Sequence, residues 1–331
     1  MDTAIPNKLP REFNYFLGAK LFFTLGLRMI STIVIYQVFH LANTYMVGLA
    51  GLTEFLPAVV SALYAGHYID THDKKNILAV SYILYLICAA ALAIISMPQI
   101  NIDTNARLYV IFSVVFCTGI IRSFSSPAAS SMIAAIVPRA NFQKAISLSS
   151  SSYLISSIAG HATGGLIIAL AGISNAYFVS AGLIAMATVF AFLLSPKPPI
   201  LKQISESIFS SIKNGFQFVW NSKTLLGVIS LDLFAVLFGG AVAFIPEIAE
   251  HVLHTNAIGY GFLNAAMDIG ALVSVLMLLA VPMKKKQGVK MLLAVAGFGL
   301  FIIVFGLSKV YWLSFLALAV AGVCDGISVV I

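Results

Sequence analysis

The chain has 331 residues, of which 60% are hydrophobic and only 9% are charged, and its formal net charge is +7. A soluble domain carries about 25% charged residues, so this composition excludes a soluble protein and predicts an integral membrane protein. The lysines and arginines are spread over short loops, where membrane topology explains them. The positive charge therefore does not predict nucleic-acid binding.

Ten apolar segments follow one another along the chain, at 13–39, 46–69, 76–97, 106–136, 145–170, 176–194, 224–249, 257–281, 288–308 and 311–331. Their length favours transmembrane helices over strands, which would show short alternating segments. The first segment is too long for a signal-peptide core and is interpreted as a retained helix. With the N-terminus in the cytoplasm, fifteen of the 19 lysines and arginines fall at or near the cytoplasmic side, as the positive-inside rule requires.

The longest connection, 195–223, begins with Pro196, Pro198 and Pro199, which cannot continue the preceding helix. The chain is therefore predicted to form an N-terminal six-helix bundle at 1–194, a cytoplasmic linker, and a partial C-terminal bundle of about four helices at 224–331. Apolar linker residues at helical spacing predict an amphipathic helix in the interface, namely Leu201, Ile204, Ile208, Ile212, Phe216 and Val219. The last segment stops at Ile331 without a polar cap, which favours a fragment that lacks two further helices.

A polar hairpin at 66–75 separates the second and third apolar segments. Its Gly66, Asp70, Lys74 and Lys75 resemble the loop signature G-x-x-x-D-x-x-G-[RK]-[RK] of the major facilitator superfamily, and Asp73 replaces the second glycine. The hairpin and the stretches 55–58, 122–128, 137–139 and 231–241 resemble the branch that includes the bacterial enterobactin exporter and the macrolide efflux proteins.

The resemblance implies the major facilitator fold, an all-α polytopic architecture in which substrate binds between two bundles of inverted repeats. It also implies a role for the hairpin as a cytoplasmic gate, in which Asp70 latches the bundles against the positive end of helix eleven. Alternatively, Asp70 simply offsets the charges of Lys74 and Lys75. The basic loop at 283–290 occupies the equivalent place in the second bundle but has no aspartate.

Six charged residues are interpreted as lying within the membrane rather than at its surface, namely Arg28, Glu54, Arg122, Asp232, Asp268 and Asp325. Each costs about 2.5–3.5 kcal/mol at mid-membrane and needs a partner or water. Counting from the segment starts puts Glu54 nearer the outside and Arg122 nearer the cytoplasm. A buried carboxylate can accept a proton near neutrality, but a static ion pair, such as Arg28 with Glu54, would also explain these residues. We favour function for Asp232 and Asp325, which lie in family-like stretches, and leave both interpretations open for Glu54 and Asp268.

His161 lies in a glycine-rich stretch with Gly160, Gly164 and Gly165. The stretch resembles the exporter segment G-P-x-x-G-G of the superfamily, with His161 where proline is expected. Small residues there let two helix backbones approach closely. His161 is either a hydrogen-bonded interior histidine or a proton-linked one.

The sequence contains no Walker phosphate loop, no His-Glu-x-x-His and no Gly-x-Ser-x-Gly motif, so neither an enzyme nor a cofactor or metal site is predicted. The hypothesis is a monomeric secondary transporter of the bacterial inner membrane, which works by alternating access and exports a drug-like or siderophore-like molecule against protons. The alternatives are an uncoupled or import-type facilitator and a transport-dead membrane sensor or scaffold.

Overall fold

The computed structural model describes residues 9–197, 217–223, 225–227, 230–231, 239–280 and 287–330. Within these ranges, nine helices are long and apolar enough to cross a membrane. Six precede the linker: α1 (Arg11–Leu41), α2 (Thr44–Thr71), α3 (Lys74–Ile95), α4 (Thr104–Ile136), α5 (Phe142–Ala171) and α6 (Ile173–Phe192). Three follow it: α7 (Ala257–Ala280), α8 (Gln287–Leu307) and α9 (Tyr311–Val330). These helices confirm the predicted all-α polytopic fold class.

Two predicted elements fall partly or wholly outside the described residues. Of the linker stripe, only Val219 is described, within a helical stretch at 217–221. Of the predicted seventh segment, the structure describes the 3-10 helix Gly239–Phe244, followed by the short α-helix Ile245–Glu247 and the π-helix Ile248–Val252. Helical structure therefore continues three residues beyond the predicted end at 249.

Polar residues begin several of the membrane helices. The side chains of Asn43, Asp73 and Asp103 accept hydrogen bonds from backbone N–H groups in the first turns of α2, α3 and α4. Such caps satisfy donors that have no partner within the helix. A single residue, Gly172, separates α5 from α6 with a φ of +85°, a left-handed conformation that glycine adopts without steric cost.

The chain divides into two compact units. One contains the residues up to Gly160 together with Leu170–Gln203, and the other contains His161–Ala169 and Ile204–Ile331. In the first unit, Phe13, Leu78, Met132 and Ala187 form a buried core shared by α1, α3, α4 and α6, and α2 packs against α4. In the second unit, α9 packs against both α7 and α8. The bundle boundaries at 194 and 224 remain a prediction.

Candidate functional site

An ion pair joins α2 and α4 within their apolar spans. Nη1 of Arg122 donates to Oε1 of Glu54 over 2.9 Å, and we call these residues the α2–α4 pair. The two backbones lie close because Gly119 has no side chain: a Cβ there would lie 2.2 Å from the carbonyl oxygen of Glu54. The pair is therefore built on a contact between helix backbones.

Two expectations about this pair are wrong. Glu54 pairs with Arg122 rather than with Arg28, and the two charged groups meet at 2.9 Å although counting from the segment starts placed them at different depths. The helix α4 has 33 residues, which is about 50 Å at 1.5 Å per residue. Because that exceeds the hydrocarbon thickness of about 30 Å, counting from the start of the segment does not give the depth of a residue such as Arg122.

The α2–α4 pair is open on one side. The side chain of Arg122 is 56% exposed and that of Glu54 is 35% exposed. Hydrocarbon is a poor environment for charges with this exposure. This surface of the first unit must therefore face water, protein or a polar ligand.

A second polar group lies between α1 and α5 in the first unit. Nζ of Lys20 donates to Oγ of Ser149 over 2.6 Å, and Nη2 of Arg28 donates to the hydroxyl of Tyr153. Both cations also lie against the ring of Tyr153, with Lys20 Nζ 5.8 Å and Arg28 Cζ 5.4 Å from its centroid. We call Lys20, Arg28, Ser149 and Tyr153 the Tyr153 cluster.

In the second unit, the structure brings together two of the candidate residues. Nε2 of His161 lies 3.5 Å from Oδ2 of Asp268, and the side chains are 11% and 20% exposed. This distance suits an ion pair better than a short hydrogen bond. We call these residues the α5–α7 pair, and both members can gain or lose a proton.

Glycines fix the backbones beside the α5–α7 pair. A Cβ on Gly165 would lie 2.3 Å from the carbonyl oxygen of Ala257, and a Cβ on Gly261 would lie 2.8 Å from that of His161. Gly164 is buried. Gly160 belongs to the first unit, where a Cβ would lie 2.6 Å from the carbonyl oxygen of Leu25. Small residues in this stretch therefore allow close approach of helices.

The two remaining candidate carboxylates are Asp232 and Asp325. Asp232 lies outside the described residues. Asp325 is half-buried on α9, which packs tightly on α7 because a Cβ on Gly322 would lie 2.0 Å from the carbonyl oxygen of Met267. Asp268 follows Met267 on α7, so both carboxylates belong to the helices that form this contact.

Within the 66–75 hairpin, only two residues connect α2 to α3. Oδ1 of Asp73 accepts hydrogen bonds from the backbone N–H groups of Lys75 and Asn76, over 2.8 and 3.2 Å. The aspartate that replaces the signature glycine therefore caps α3. Gly66 and Asp70 are exposed, and a Cβ on Gly66 would have no neighbour within 4 Å.

The Tyr153 cluster was missed in the sequence because Lys20 was assigned to the membrane surface. The signal was its position in an apolar run, nine residues after the start of α1 at Arg11 and so about 14 Å along the helix. Nothing in the sequence pointed to Ser149 or Tyr153, which look like ordinary residues of an apolar helix.

The family model described as transmembrane secretion effector matches residues 24–329. A curated relative, the uncharacterized MFS-type transporter YfiS of Bacillus subtilis, is 29% identical over 221 residues, which is 62% of this chain and 50% of that protein. The enterobactin exporter EntS of Shigella boydii is 24% identical over 288 residues, which is 86% of this chain and 67% of that protein. The chain thus spans half to two thirds of the length of these relatives.

Solved structures of transporters share the fold. A POT family transporter in complex with 5-aminolevulinic acid is 11% identical, with a TM-score of 0.68 over 97% of this chain and 82% of that one. The D-xylose-proton symporter is 12% identical, with a TM-score of 0.66 over 96% of this chain and 79% of that one. These structures share the fold, and the family match over residues 24–329 establishes that the chain belongs to the transmembrane secretion effector family of the major facilitator superfamily, where it resembles the enterobactin exporter branch.

Proposed function

We propose that this transporter works by alternating access in the bacterial inner membrane, as a monomer with a cytoplasmic N-terminus, and exports a small molecule in exchange for protons. The observation that carries the proposal is the α5–α7 pair, in which His161 and Asp268 lie 3.5 Å apart and largely buried. Each can bind a proton, so the pair can be negative, neutral or positive. Asp232 and Asp325 are further candidates for the same role.

Burial makes the charge of the α5–α7 pair matter. A net charge away from water is costly, so the pair is favoured when it is neutral overall. A proton gained or lost changes this balance at a place where the helix backbones touch at Gly165 and Gly261. Proton binding can therefore alter the contact between these helices, which is what coupling to transport requires.

The export direction and the class of cargo rest on resemblance. The glycine-rich stretch from Gly160 to Gly165 is similar to the exporter segment of the superfamily, and EntS relatives are named enterobactin exporters. These features support a siderophore-like or drug-like cargo. The resemblance also supports a role for Asp70 as a cytoplasmic latch, which predicts that Asp70→Asn changes a reporter of cytoplasmic closure.

The test uses the complete protein in liposomes that contain a pH-sensitive dye, with enterobactin and a macrolide supplied separately. When a proton gradient is imposed, we expect protons to move down it and one of the two compounds to move in the opposite direction. Asp268→Asn should reduce proton-driven transport at least about tenfold, since the amide cannot carry the proton. Asp103→Asn is the matched control, because this exposed cap of α4 keeps its capping ability as asparagine.

Other outcomes would contradict the proposal in different ways. Cargo flux that does not change with the pH gradient would contradict proton coupling and favour an uncoupled facilitator. Uptake rather than release would reverse the direction. A folded protein that moves neither probe nor protons in any gradient would favour the sensor or scaffold.

A further inference from the structure

We propose that the Tyr153 cluster is a binding site for an oxyanion, such as the carboxylate of an amphipathic organic anion, within the first unit. The inference rests on the proposed transport function only in taking the bound anion to be cargo. The first observation is that the Tyr153 cluster contains two cations and no anion. In the part of the chain that the structure describes, no carboxylate lies within ion-pairing distance of Lys20 or Arg28.

The two cations are in the wrong place to be surface residues. Lys20 and Arg28 are both partly buried on α1, within a span apolar enough to cross a membrane. Long basic side chains near helix ends usually reach towards the interface. Here both point instead to α5, where Lys20 bonds Ser149 and Arg28 bonds Tyr153.

Their partners on α5 bring the two charges together. Ser149 and Tyr153 are four residues apart, which is about one helical turn or 6 Å. Both cations also lie within 6 Å of the centroid of the same Tyr153 ring, a distance at which an aromatic ring attracts a cation. The ring relieves part of the cost of two cations but supplies no countercharge.

The hydrogen-bonding groups around the cluster are mostly donors. A guanidinium has five N–H groups and an ammonium has three, and each cation uses one of them on α5. The hydroxyl of Tyr153 accepts from Arg28, which leaves its own O–H free to donate. An oxyanion supplies both the acceptors and the negative charge that this arrangement lacks.

Two buried serines on α5 give an independent indication. The Oγ atoms of Ser152 and Ser156 are buried and have no hydrogen-bond partner among the described residues. By helical periodicity, Ser156 shares a face of α5 with Ser149, Tyr153 and Gly160, and Gly160 packs against Arg28. Unsatisfied buried hydroxyls are uncommon, and here they border the same cationic face.

The experiment measures binding without transport. The complete protein in nanodiscs of zwitterionic lipid is dialysed to equilibrium against 2-naphthoate, 2-naphthalenemethanol or 2-naphthylmethylammonium, which share a fluorescent ring and differ in charge. We expect the anion to bind at least about tenfold more tightly than the other two, which corresponds to about 1.4 kcal/mol. Equal binding of all three probes would overturn the proposal.

Variants locate the site. Arg28→Gln and Lys20→Gln should each weaken 2-naphthoate binding at least about fivefold, and Arg28→Lys should restore part of it because it keeps the charge. Lys144→Gln, which removes an exposed cation from the same helix α5, should leave binding unchanged. Each variant must keep the melting temperature of the parent within a few degrees. If a glutamine variant does not, methionine, which is also long and uncharged, replaces glutamine at that position. Unchanged binding in all of the charge-removing variants would refute the site.

Anionic lipid headgroups offer the same oxyanion chemistry, so the source is tested separately. Adding phosphatidylglycerol to the nanodiscs should not displace 2-naphthoate if the site binds cargo. Displacement that depends on Lys20 and Arg28 would overturn the assignment to cargo in favour of lipid. Selective anion binding by a protein that transports nothing would leave the site intact and refute only the proposed function.

Discussion

The α2–α4 pair and the α5–α7 pair are both acid–base pairs set in apolar helices beside a glycine contact, but their cations differ. Arg122 carries a guanidinium, which stays protonated in proteins. His161 carries an imidazole, which gains and loses a proton near neutral pH. The cation of the first pair therefore keeps its charge, whereas the cation of the second pair can lose it.

The pairs also differ in exposure. Arg122 is 56% exposed, whereas His161 is 11% exposed. Solvent screens an exposed pair and reduces its contribution, while a buried pair responds strongly to any change in its net charge. The proposed function therefore gives proton exchange to the α5–α7 pair and a permanent polar surface to the α2–α4 pair.

The largest expected effect is on the pH dependence of transport, which should differ between variants of the two pairs. His161→Gln should flatten the dependence of transport on pH between about pH 5 and 8, because glutamine does not titrate where imidazole does. Glu54→Gln should keep the shape of the parent profile, since its partner Arg122 stays charged. Transport rates in liposomes across this range give both profiles. A flat profile for Glu54→Gln with a normal one for His161→Gln would reverse the assignment.

A second test asks whether the backbone contact supports each pair. Alanine at Gly165 would place a Cβ 2.3 Å from the carbonyl oxygen of Ala257, and alanine at Gly119 would place one 2.2 Å from that of Glu54. Both should lower stability by about 1–3 kcal/mol, because the packed helices must move apart. Only Gly165→Ala should also alter the pH profile, since it moves the α5–α7 pair.

Gly182→Ala on α6 is the control for both substitutions. A Cβ there would meet nothing within 4 Å, and alanine is favoured over glycine in a helix by up to about 1 kcal/mol. Thermal unfolding in detergent should therefore show an unchanged or raised midpoint for this variant. Equal midpoints for all three alanine variants would contradict the close contacts.

The sequence predicted the spans and the charged residues but not their partners. Apolar runs define α1 to α9 because a membrane helix needs about 20 such residues. Which helices touch is a tertiary property, so the joining of His161 to Asp268 could not be read from spacing. The example of Arg28 as the partner of Glu54 was wrong for the same reason, because the structure pairs Glu54 with Arg122.

The helix cap at Asp73 could have been predicted from the sequence, but Asp73 was interpreted only as a departure from the loop signature of the superfamily. Asp73 stands directly before an apolar run, and aspartate is a preferred helix N-cap. The backbone hydrogen bonds of Asp73 to Lys75 and Asn76 follow from local rules alone. The hydrogen bond of Lys20 could not be predicted from local rules, because its partner Ser149 lies 129 positions away in the sequence.

The smallest expected effect tests whether the α2–α4 pair is more than a polar surface. Because the pair is well exposed, Glu54→Gln should lower stability by no more than about 1 kcal/mol, or about 2–4 °C in the unfolding midpoint. Exchanging the charges, Glu54→Arg with Arg122→Glu, should recover most of that loss if simple attraction is the whole contribution. If the double variant were less stable than either single variant, groups outside the pair would favour the cation on α4 over a cation on α2. The stability of the α2–α4 pair would then depend on its surroundings in the fold as well as on the attraction between its charges.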